Sequence, residues 1–231
     1  MFFTKRKVNG HKPKLVDCLL VDSTGRETVE SCFAHLNGTK LIVLITQYHS
    51  YNPWAESMTG YVLDVFRNTF GDIDQFSSVV SYLSQSVYVA ATLLMQRSNI
   101  LGSNQDKFSI GGFVADIEQS VYYGMVVGDF ALFELSNNNK LTPVILPNNG
   151  RLSGQLSDID LETKNARDLN SVAMLVLVNG ELLKTLPAEQ LQKIILKNRR
   201  SDLLSGKVID SFRTINPSAP GAFAYFRNLR P

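Results

Sequence analysis

The chain has 231 residues, of which 44% are hydrophobic and 19% are charged. This length and composition suit one globular domain with a full hydrophobic core, so we expect residues 1–231 to form a single domain. The formal net charge of +2 is too small to indicate a surface dedicated to nucleic acid or to a membrane. Two basic clusters, at residues 5–7 and 197–200, contain no aromatic residues and are typical of solvated faces.

The cysteines and the first residues of the chain bear on its compartment. Cys18 and Cys32 each lie within or beside an apolar run, which is typical of small core residues rather than of a disulfide framework or a metal knuckle. Residues 1–10 place their charges after two phenylalanines and contain no long apolar run, so we expect no signal peptide. No segment is long and apolar enough to predict a membrane span. The sequence therefore predicts a cytoplasmic protein.

The first predicted elements are a strand, a polar elbow and two long helices. Residues 41–46 are apolar or β-branched, and the elbow at 47–52 contains one histidine among hydroxyl and amide side chains. The Asn-Pro pair at 52–53 is typical of a helix start, and apolar residues then recur at helical spacing from Met58 to Phe70. A second apolar stripe, from Phe76 to Met95, predicts a second helix against the same sheet.

A block of strands is predicted next. Residues 108–135 contain two apolar or β-branched runs that are separated by polar residues 118–120, which predicts a hairpin. A second hairpin turns at 137–139, and the strand after it contains Pro143, which favours a sheet edge. Residues 147–170 are polar and are predicted to form a loop.

The last part of the chain alternates strands and helices. Residues 171–179 predict a buried strand, and Pro187 opens a helix that is followed by another at about 202–213. Residues 222–229 predict a final strand. Because strands come in runs and helices come in runs, the order of elements predicts an α+β layered fold rather than a doubly wound parallel sheet.

Four local patterns carry a resemblance to a known family. Residues 41–66 match a strand, loop and long helix that in that family contain an Asp-Gly pair and a glycine-rich loop. Residues 126–144 are similar to its strand pair ending in Gly-Asp-Ser, and residues 174–195 to its buried strand ending in Ser-Asp-Gly-Leu. Residues 218–226 are similar to its strand introduced by Asp-Asn. Together, over about residues 8–229, the chain resembles the metal-dependent protein phosphatases, the type 2C serine/threonine phosphatases, in their compact bacterial form.

This resemblance implies a fold and a chemistry. The fold is a four-layer α/β/β/α sandwich, with two mostly antiparallel sheets flanked by pairs of helices. Family members hold two divalent cations, magnesium or manganese, which activate a water that attacks a phosphoester. These hard cations need carboxylate oxygens.

The resemblance also places the family's ligands on residues of this chain. The first metal-binding Asp falls on Asp17 and is kept. The bridging Asp-Gly pair falls on Thr46 and Gln47, the Asp of Ser-Asp-Gly on Asn179, and the Asp of Asp-Asn on Pro220. Three of the four central carboxylates are therefore missing.

Two further family positions lie beside this set. The arginine that steers the substrate phosphate falls near Lys12, which keeps the charge without the bidentate fork. Asp129 is retained, although Phe130 replaces the serine after it. Since one unit charge pair at about 4 Å contributes about 4 kcal/mol at a dielectric of 20, losing three carboxylates removes the family's metal centre. We expect no cofactor.

The sequence therefore predicts a pseudophosphatase, a catalytically inactive phosphatase-like module that binds a protein partner as a scaffold or regulator. One alternative is a residual or altered metal-dependent phosphoesterase that uses Lys12, Asp17 and Asp129, with magnesium or manganese. Another alternative is a nucleotide or small-molecule sensor. Its stacking surface consists of Tyr48, His49, Tyr51 and Trp54. The first three of these residues are also the candidate contacts for a protein partner.

Two smaller features of the sequence bear on possible binding sites. His49 with Asp17 and Asp129 is a further candidate for a single metal or acid–base site, but the three histidines of the chain show no ligand spacing. The glycine pair at 111–112 lies inside a predicted strand, which favours a bulge or close packing over a phosphate cradle.

Overall fold

The computed structural model describes residues 15–21, 29–49, 55–101, 108–150 and 159–228. Within these ranges the strands form two five-stranded sheets in which every pairing is antiparallel. The strands are β1 (Leu15–Val21), β2 (Val29–Asn37), β3 (Lys40–Tyr48), β4 (Phe108–Asp116), β5 (Val121–Val127), β6 (Phe130–Ser136), β7 (Leu141–Ile145), β8 (Leu161–Asp168), β9 (Val172–Asn179) and β10 (Gly221–Arg227). One sheet has the order β1-β10-β9-β6-β7, and the other has the order β2-β3-β4-β5-β8.

Helices cover the outer face of each sheet. They are α1 (Ala55–Phe70), α2 (Val79–Leu101), α3 (Gly180–Thr185), α4 (Ala188–Lys197) and α5 (Leu204–Ile215), with a 3-10 turn at Ile73–Gln75. The helices α1 and α2 pack on the sheet that contains β3, and α3 to α5 pack on the sheet that contains β9. A third core lies between the two sheets. The predicted α+β fold with four α/β/β/α layers is confirmed, although the short α3 makes one helix layer a group of three.

The alternation of β3 decides which way its last residues face. Ile42 and Leu44 belong to the core under the helices, whereas Val43 and Ile45 belong to the core between the sheets. Successive side chains of a strand point to opposite faces, and β3 pairs without a bulge on both sides. Thr46 therefore lies on the helix-facing side and the next residue lies between the sheets.

The strands β2 and β3 form a tight hairpin. The hairpin turns at Gly38 and Thr39, and Gly38 has a φ of 55°, which a glycine adopts without strain. The register pairs Glu30 with Gln47 and Ser31 with Thr46. The hairpin therefore brings the start of β2 to the end of β3, beside the elbow.

The predicted single run at 120–135 is two strands that belong to different sheets. The chain leaves β5 at Gly128, whose φ of 86° lies in the left-handed region, and enters β6 at Phe130. Asn148 stabilises this connection between β5 and β6, because its Oδ1 accepts from the Gly128 N–H at 2.6 Å. A left-handed glycine leaves the apolar pattern unbroken, so periodicity alone does not locate the change of sheet.

The prediction that residues 147–170 form a loop is wrong for β8. This strand lies at the edge of its sheet and pairs only with β5. Its side chains are half-buried or exposed, and Lys164 and Glu162 form an ion pair at 2.8 Å. Charged residues are common on edge strands because they discourage pairing with another chain, and they remove the apolar alternation by which strands are recognised. The predicted edge strand with Pro143 is confirmed as β7.

The glycine pair in β4 marks close packing, as predicted. A Cβ on Gly111 would lie 2.7 Å from the Cβ of Phe130 and 2.9 Å from Cδ1 of Leu177, both on the facing sheet. A Cβ on Gly112 would overlap the side chain of Leu44. Gly111 thus leaves room for side chains of the facing sheet, and Gly112 leaves room for Leu44 of the neighbouring strand.

A polar tie joins the two sheets away from the elbow. The Tyr122 hydroxyl donates to Oε2 of Glu134 at 2.6 Å, and Nη2 of Arg167 donates to Oε1 of the same carboxylate at 3.3 Å. Glu134 belongs to one sheet and both donors belong to the other. Burial, and then the neighbouring carboxylate, raise the pKa of Tyr122, so it stays a neutral donor.

Among the described residues, no helix combines the length and the apolar composition that crossing a membrane requires.

Candidate functional site

Five segments meet at one end of the sandwich, which we name the elbow end. They are the end of β3, the start of β4, the crossing from β5 to β6, the junction of β9 with α3, and the start of β10. In residue numbers they are 47–49, 108–109, 127–130, 179–180 and 220–222. The elbow end therefore contains six of the sequence-predicted site residues: Gln47, Tyr48, His49, Asp129, Asn179 and Pro220.

Asn179 is fully buried and acts as a structural connector. Its Oδ1 accepts from the Leu182 N–H at 3.2 Å, which caps the N-terminus of α3, and from the Ala222 N–H at 3.0 Å. Its Nδ2 donates to the carbonyl oxygen of Pro220 at 3.2 Å. Both lone pairs of Oδ1 are thus occupied by backbone donors, and a carboxylate could not make the third bond.

Asp129 lies directly against the start of α3. Its backbone carbonyl accepts from the Gly180 N–H at 2.9 Å. Its side chain fills the space next to the Gly180 Cα, where an added Cβ would lie 2.5 Å from the carboxyl carbon and 2.7 Å from Oδ2. The glycine is therefore required by the retained carboxylate, and not by its own backbone conformation.

A serine that the sequence did not single out joins two predicted site residues. Oγ of Ser109 lies 2.6 Å from Nε2 of His49 and accepts from the Asp129 N–H at 2.9 Å. Ser109 is fully buried, whereas His49 is half-buried. The serine thus fixes the imidazole against the crossing between the sheets, and its burial keeps the hydroxyl away from any substrate.

The side chains of Thr46 and Gln47, which occupy the family's Asp-Gly position, point to opposite faces of their sheet. Gln47 lies on the inter-sheet side and Thr46 on the helix-facing side, and both are buried. Within the described residues, Oε1 of Gln47 and Oγ1 of Thr46 have no hydrogen-bond partner. A buried polar group without a partner costs about 1–3 kcal/mol, so this pair is a weak point of the elbow end.

The structure places Asp17 apart from the elbow residues. It lies on the helix-facing side of the other sheet, where Oδ2 accepts from the hydroxyl of Ser205 on α5. Its cross-strand neighbour Tyr225 is fully buried, and burial raises the pKa of this tyrosine to about 12, with opposing effects from Arg227 and from nearby carboxylates. Asp17 therefore belongs to the contact between β1, β10 and α5.

The other predicted site residues lie in buried, half-buried or undescribed positions. Tyr48 is fully buried among the helix-facing residues and packs on Phe108 with ring centroids 4.7 Å apart, so it offers no surface to a partner. Pro220 is half-buried and takes part through its carbonyl oxygen. The other three predictions lie outside the described residues: Lys12, Tyr51 and Trp54.

One acidic position at the elbow end escaped the sequence analysis. Glu30 is the register partner of Gln47 at the start of β2. The Asn37-Gly38 pair between two apolar runs is a strong hairpin signal that was available in the sequence, and it would have placed Glu30 opposite the elbow. Asp17 lies on β1, which pairs with the last strand of the chain. Its position in that pairing is further from the elbow end than the position of Glu30 is.

The donor set at the elbow end does not suit a pair of hard divalent cations. Among the described residues no three His, Cys, Asp or Glu side chains are grouped to hold a metal ion. Asp129 supplies one carboxylate, and the oxygen of Asn179 is already bonded twice by backbone N–H groups. Magnesium and manganese prefer several carboxylate oxygens, which these residues do not supply.

Solved structures provide the comparison that decides the fold. The chain is similar to Stp1, a serine/threonine phosphatase of Staphylococcus aureus, with a TM-score of 0.79 and 9% identity over 99% of this chain and 100% of that chain. The fold is that of the type 2C serine/threonine phosphatases. No family model and no curated protein matches the sequence.

Two further solved structures are similar to this chain. One is the catalytic domain of the phosphatase PstP in complex with two manganese ions, with a TM-score of 0.74 and 11% identity over 92% of this chain and 97% of that chain. The other is a sex-determining protein of C. elegans, with a TM-score of 0.77 and 12% identity over 96% of this chain. This chain spans 66% of the length of that protein. At these identities the likeness establishes the type 2C fold alone.

Proposed function

We propose that this type 2C-like domain is a pseudophosphatase, a module that has lost the two-metal centre and acts by binding a protein partner. The observation that carries the proposal is the bonding of Asn179. Its side-chain oxygen accepts two backbone N–H groups and its amide nitrogen donates to a backbone carbonyl, so the position serves the fold and has no free oxygen lone pair for a cation.

Electrostatics supports the same proposal. Two divalent cations about 4 Å apart repel each other by about 17 kcal/mol at an effective dielectric of 20, and one carboxylate at a similar distance attracts one of them by about 8 kcal/mol. Several carboxylates are therefore needed to hold the pair. At the elbow end the described side chains include one carboxylate, that of Asp129, and Glu30 adds a second acidic position by its register with Gln47.

Hydrogen bonds between protein groups join the strand ends at the elbow end. The apolar alternation of the strands is kept, and the elbow end is closed by hydrogen bonds between Asn179, Ser109 and neighbouring backbone groups. A fold that is retained without its chemistry is available for recognition, since function resides in sites rather than in folds. His49, the half-buried residue of the elbow, is the proposed partner contact.

The enzymatic part is tested by metal titration and phosphatase assay. We expect isothermal titration with manganese to show no binding below millimolar concentration, and we expect no turnover of an aryl phosphate or a phosphoserine peptide. The key variant is Asp129→Asn, and its matched control is Asp64→Asn, which removes an exposed carboxylate that pairs with Arg67 on α1. Manganese-dependent turnover that Asp129→Asn abolishes and Asp64→Asn keeps would overturn the proposal in favour of a residual phosphoesterase.

The binding part is tested by proximity labelling in the cells of origin. We expect His49→Ala to lose specific protein neighbours that the wild type labels. The matched control is His35→Ala, which removes an exposed histidine that stacks on Phe33 at the edge of the same sheet. If the two variants label the same proteins equally, His49 at the elbow is not the partner contact.

A further inference from the structure

The turn between β6 and β7 meets the last residues of α4 at the end of the sandwich opposite the elbow end. Nη1 of Arg199 donates to Oδ1 of Asn139 at 2.7 Å, and Nε2 of Gln192 donates to the Asn139 carbonyl at 3.0 Å. The Leu141 N–H donates to Oε1 of Gln192 at 3.2 Å. The strand β6 has 7 residues, so this turn lies about 20 Å from the elbow end. These bonds place Lys140 beside α4.

Cations from these two segments form one surface, which we name the far-end patch. Its members are Lys140, Lys193, Lys197, Arg199 and Arg200. All of them are exposed except Arg199, which is half-buried and is held by Asn139. The structure thus adds two lysines to the basic cluster that the sequence shows at residues 197–200. Between residues 188 and 203 there are two carboxylates, Glu189 and Asp202, so the far-end patch keeps an excess of positive charge.

The charges of the far-end patch are not neutralised within the part of the chain that the structure describes. Elsewhere Lys184 pairs with Glu181 at 2.7 Å, and both cations of the edge strand β8 pair with carboxylates. No ion pair among the described residues involves a cation of the patch. Lys193 and Lys197 are also four residues apart on α4, a spacing at which like charges repel. An anionic partner would therefore relieve repulsion as well as gain attraction.

The far-end patch also borders an exposed apolar side chain. Leu203 follows Arg200 by three residues, and its N–H donates to Oγ of Ser201 at 3.1 Å. The Leu203 side chain is 67% exposed, the largest fraction among the large hydrophobic residues of the described ranges. A leucine beside unpaired cations suits a partner that carries both carboxylates and apolar side chains.

Two other kinds of anionic partner suit the far-end patch less well. Residues 137–141 and 188–203 contain no aromatic residue, whereas proteins that bind single-stranded nucleic acid stack bases on aromatic rings. An anionic membrane is bound by helices that insert an apolar face, and the apolar residues Leu191 and Ile195 of α4 are buried against the sheet. Both observations favour a protein partner.

We propose that the far-end patch binds an acidic segment of a protein partner, in which Asp and Glu residues flank an apolar residue. The carboxylates contact Lys197 and Arg200, and the apolar residue packs on Leu203. An arginine presents a planar fork that binds a carboxylate through two parallel hydrogen bonds. The far-end patch shares no residue with the elbow end, so this inference stands independently of the proposed loss of catalysis.

Fluorescence anisotropy with the full chain tests the charge of the patch. The probe is a labelled peptide in which leucines alternate with pairs of glutamates, and we expect its binding to weaken as salt is raised. Arg200→Glu should raise the dissociation constant at least about fivefold. The matched control is Arg213→Glu, which makes the same change at an exposed arginine about 14 Å along α5 from its start and should bind as the wild type does.

A second pair of variants tests the apolar contact. Leu203→Ser should weaken binding at least about threefold even at high salt, whereas Ile215→Ser, at a side chain that is 59% exposed at the other end of α5, should not. Circular dichroism confirms that all variants are folded. Three outcomes overturn the proposal: equal binding of a peptide with glutamine in place of glutamate, equal dissociation constants for Arg200→Glu and Arg213→Glu, or tighter binding of single-stranded RNA or of phosphatidylserine vesicles than of the acidic peptide.

Discussion

Replacing Asn179 is the most direct perturbation of the elbow end. Asn179→Ala removes the cap of α3 and leaves the buried Ala222 N–H and the Pro220 carbonyl without this partner. Loss of a helix cap costs about 1 kcal/mol, and each unpaired buried group costs about 1–3 kcal/mol. Because Pro220 is half-buried, losing the partner of its carbonyl should cost the lower end of this range, about 1 kcal/mol. We expect the free energy of unfolding to fall by about 3–5 kcal/mol.

Asn179→Asp distinguishes the structural role from a lost ligand role. The carboxylate keeps both accepted N–H groups, and its charge gains about 0.3–1 kcal/mol at a helix N-terminus. It cannot donate to Pro220, which costs about 1–3 kcal/mol, and its charge is fully buried and close to the Asp129 carboxylate. We expect a net loss of at least about 2 kcal/mol and no change on adding manganese.

Urea unfolding followed by circular dichroism measures both variants. Asn68→Ala on the exposed side of α1 is the control and should stay within about 0.5 kcal/mol of the wild type. The reasoning is refuted if Asn179→Ala lies within about 1 kcal/mol of the wild type, because buried partners would then not depend on this side chain. A manganese-dependent gain in the stability of Asn179→Asp would instead show that a single carboxylate restores a metal site.

Three further predictions concern neighbouring groups and are read by the same denaturation assay. We expect Gly180→Ala to cost about 1–3 kcal/mol by meeting the Asp129 carboxylate, and we expect most of this cost to vanish in an Asp129→Ala background; an unchanged cost would place the clash elsewhere. Ser109→Ala should cost about 1–2 kcal/mol by removing the hydroxyl that accepts from the Asp129 N–H, whereas exposed Ser77→Ala should be neutral. Because folding raises the pKa of Tyr225 from 10.0 to about 12, the native state holds its proton longer than the unfolded state, so stability present below pH 10 is lost between pH 10 and 12. Tyr225→Phe should remove up to about 2 kcal/mol of this alkaline loss, and urea midpoints that fall equally in both proteins from pH 9 to 12 would contradict the assignment.

The parts of the fold that local periodicity predicts are those with one strongly apolar face. The strand at 172–179 and the helices α1 and α2 have unbroken apolar patterns, and they are found where the sequence predicted them. The strand β8 was missed because its charged residues lack that pattern, and the change of sheet at Gly128 was missed because one left-handed glycine reverses direction without altering hydrophobicity.

The candidate site was harder to predict than the fold, because it depends on pairings between distant parts of the chain. Asn179 and Asp129 meet through a β6–β9 pairing, which no local pattern reveals, and the resemblance alone placed both at one end. The face of the sheet that the Asp17 side chain occupies follows from its pairing with Tyr225 on the last strand. Register sets which face a side chain occupies, and a shift of one residue reverses it.

The polar tie between Tyr122, Glu134 and Arg167 has a consequence for how this sequence can vary. Because the tie and the core between the sheets hold the sandwich together away from the elbow, strand ends there can exchange carboxylates for amides without separating the layers. Selection at the elbow end then acts on its own structural hydrogen bonds, such as those of Asn179, and not on the contact between the two sheets. Residues of the elbow end that make no such bond can be replaced without separating the sheets, and new contacts can arise at those positions.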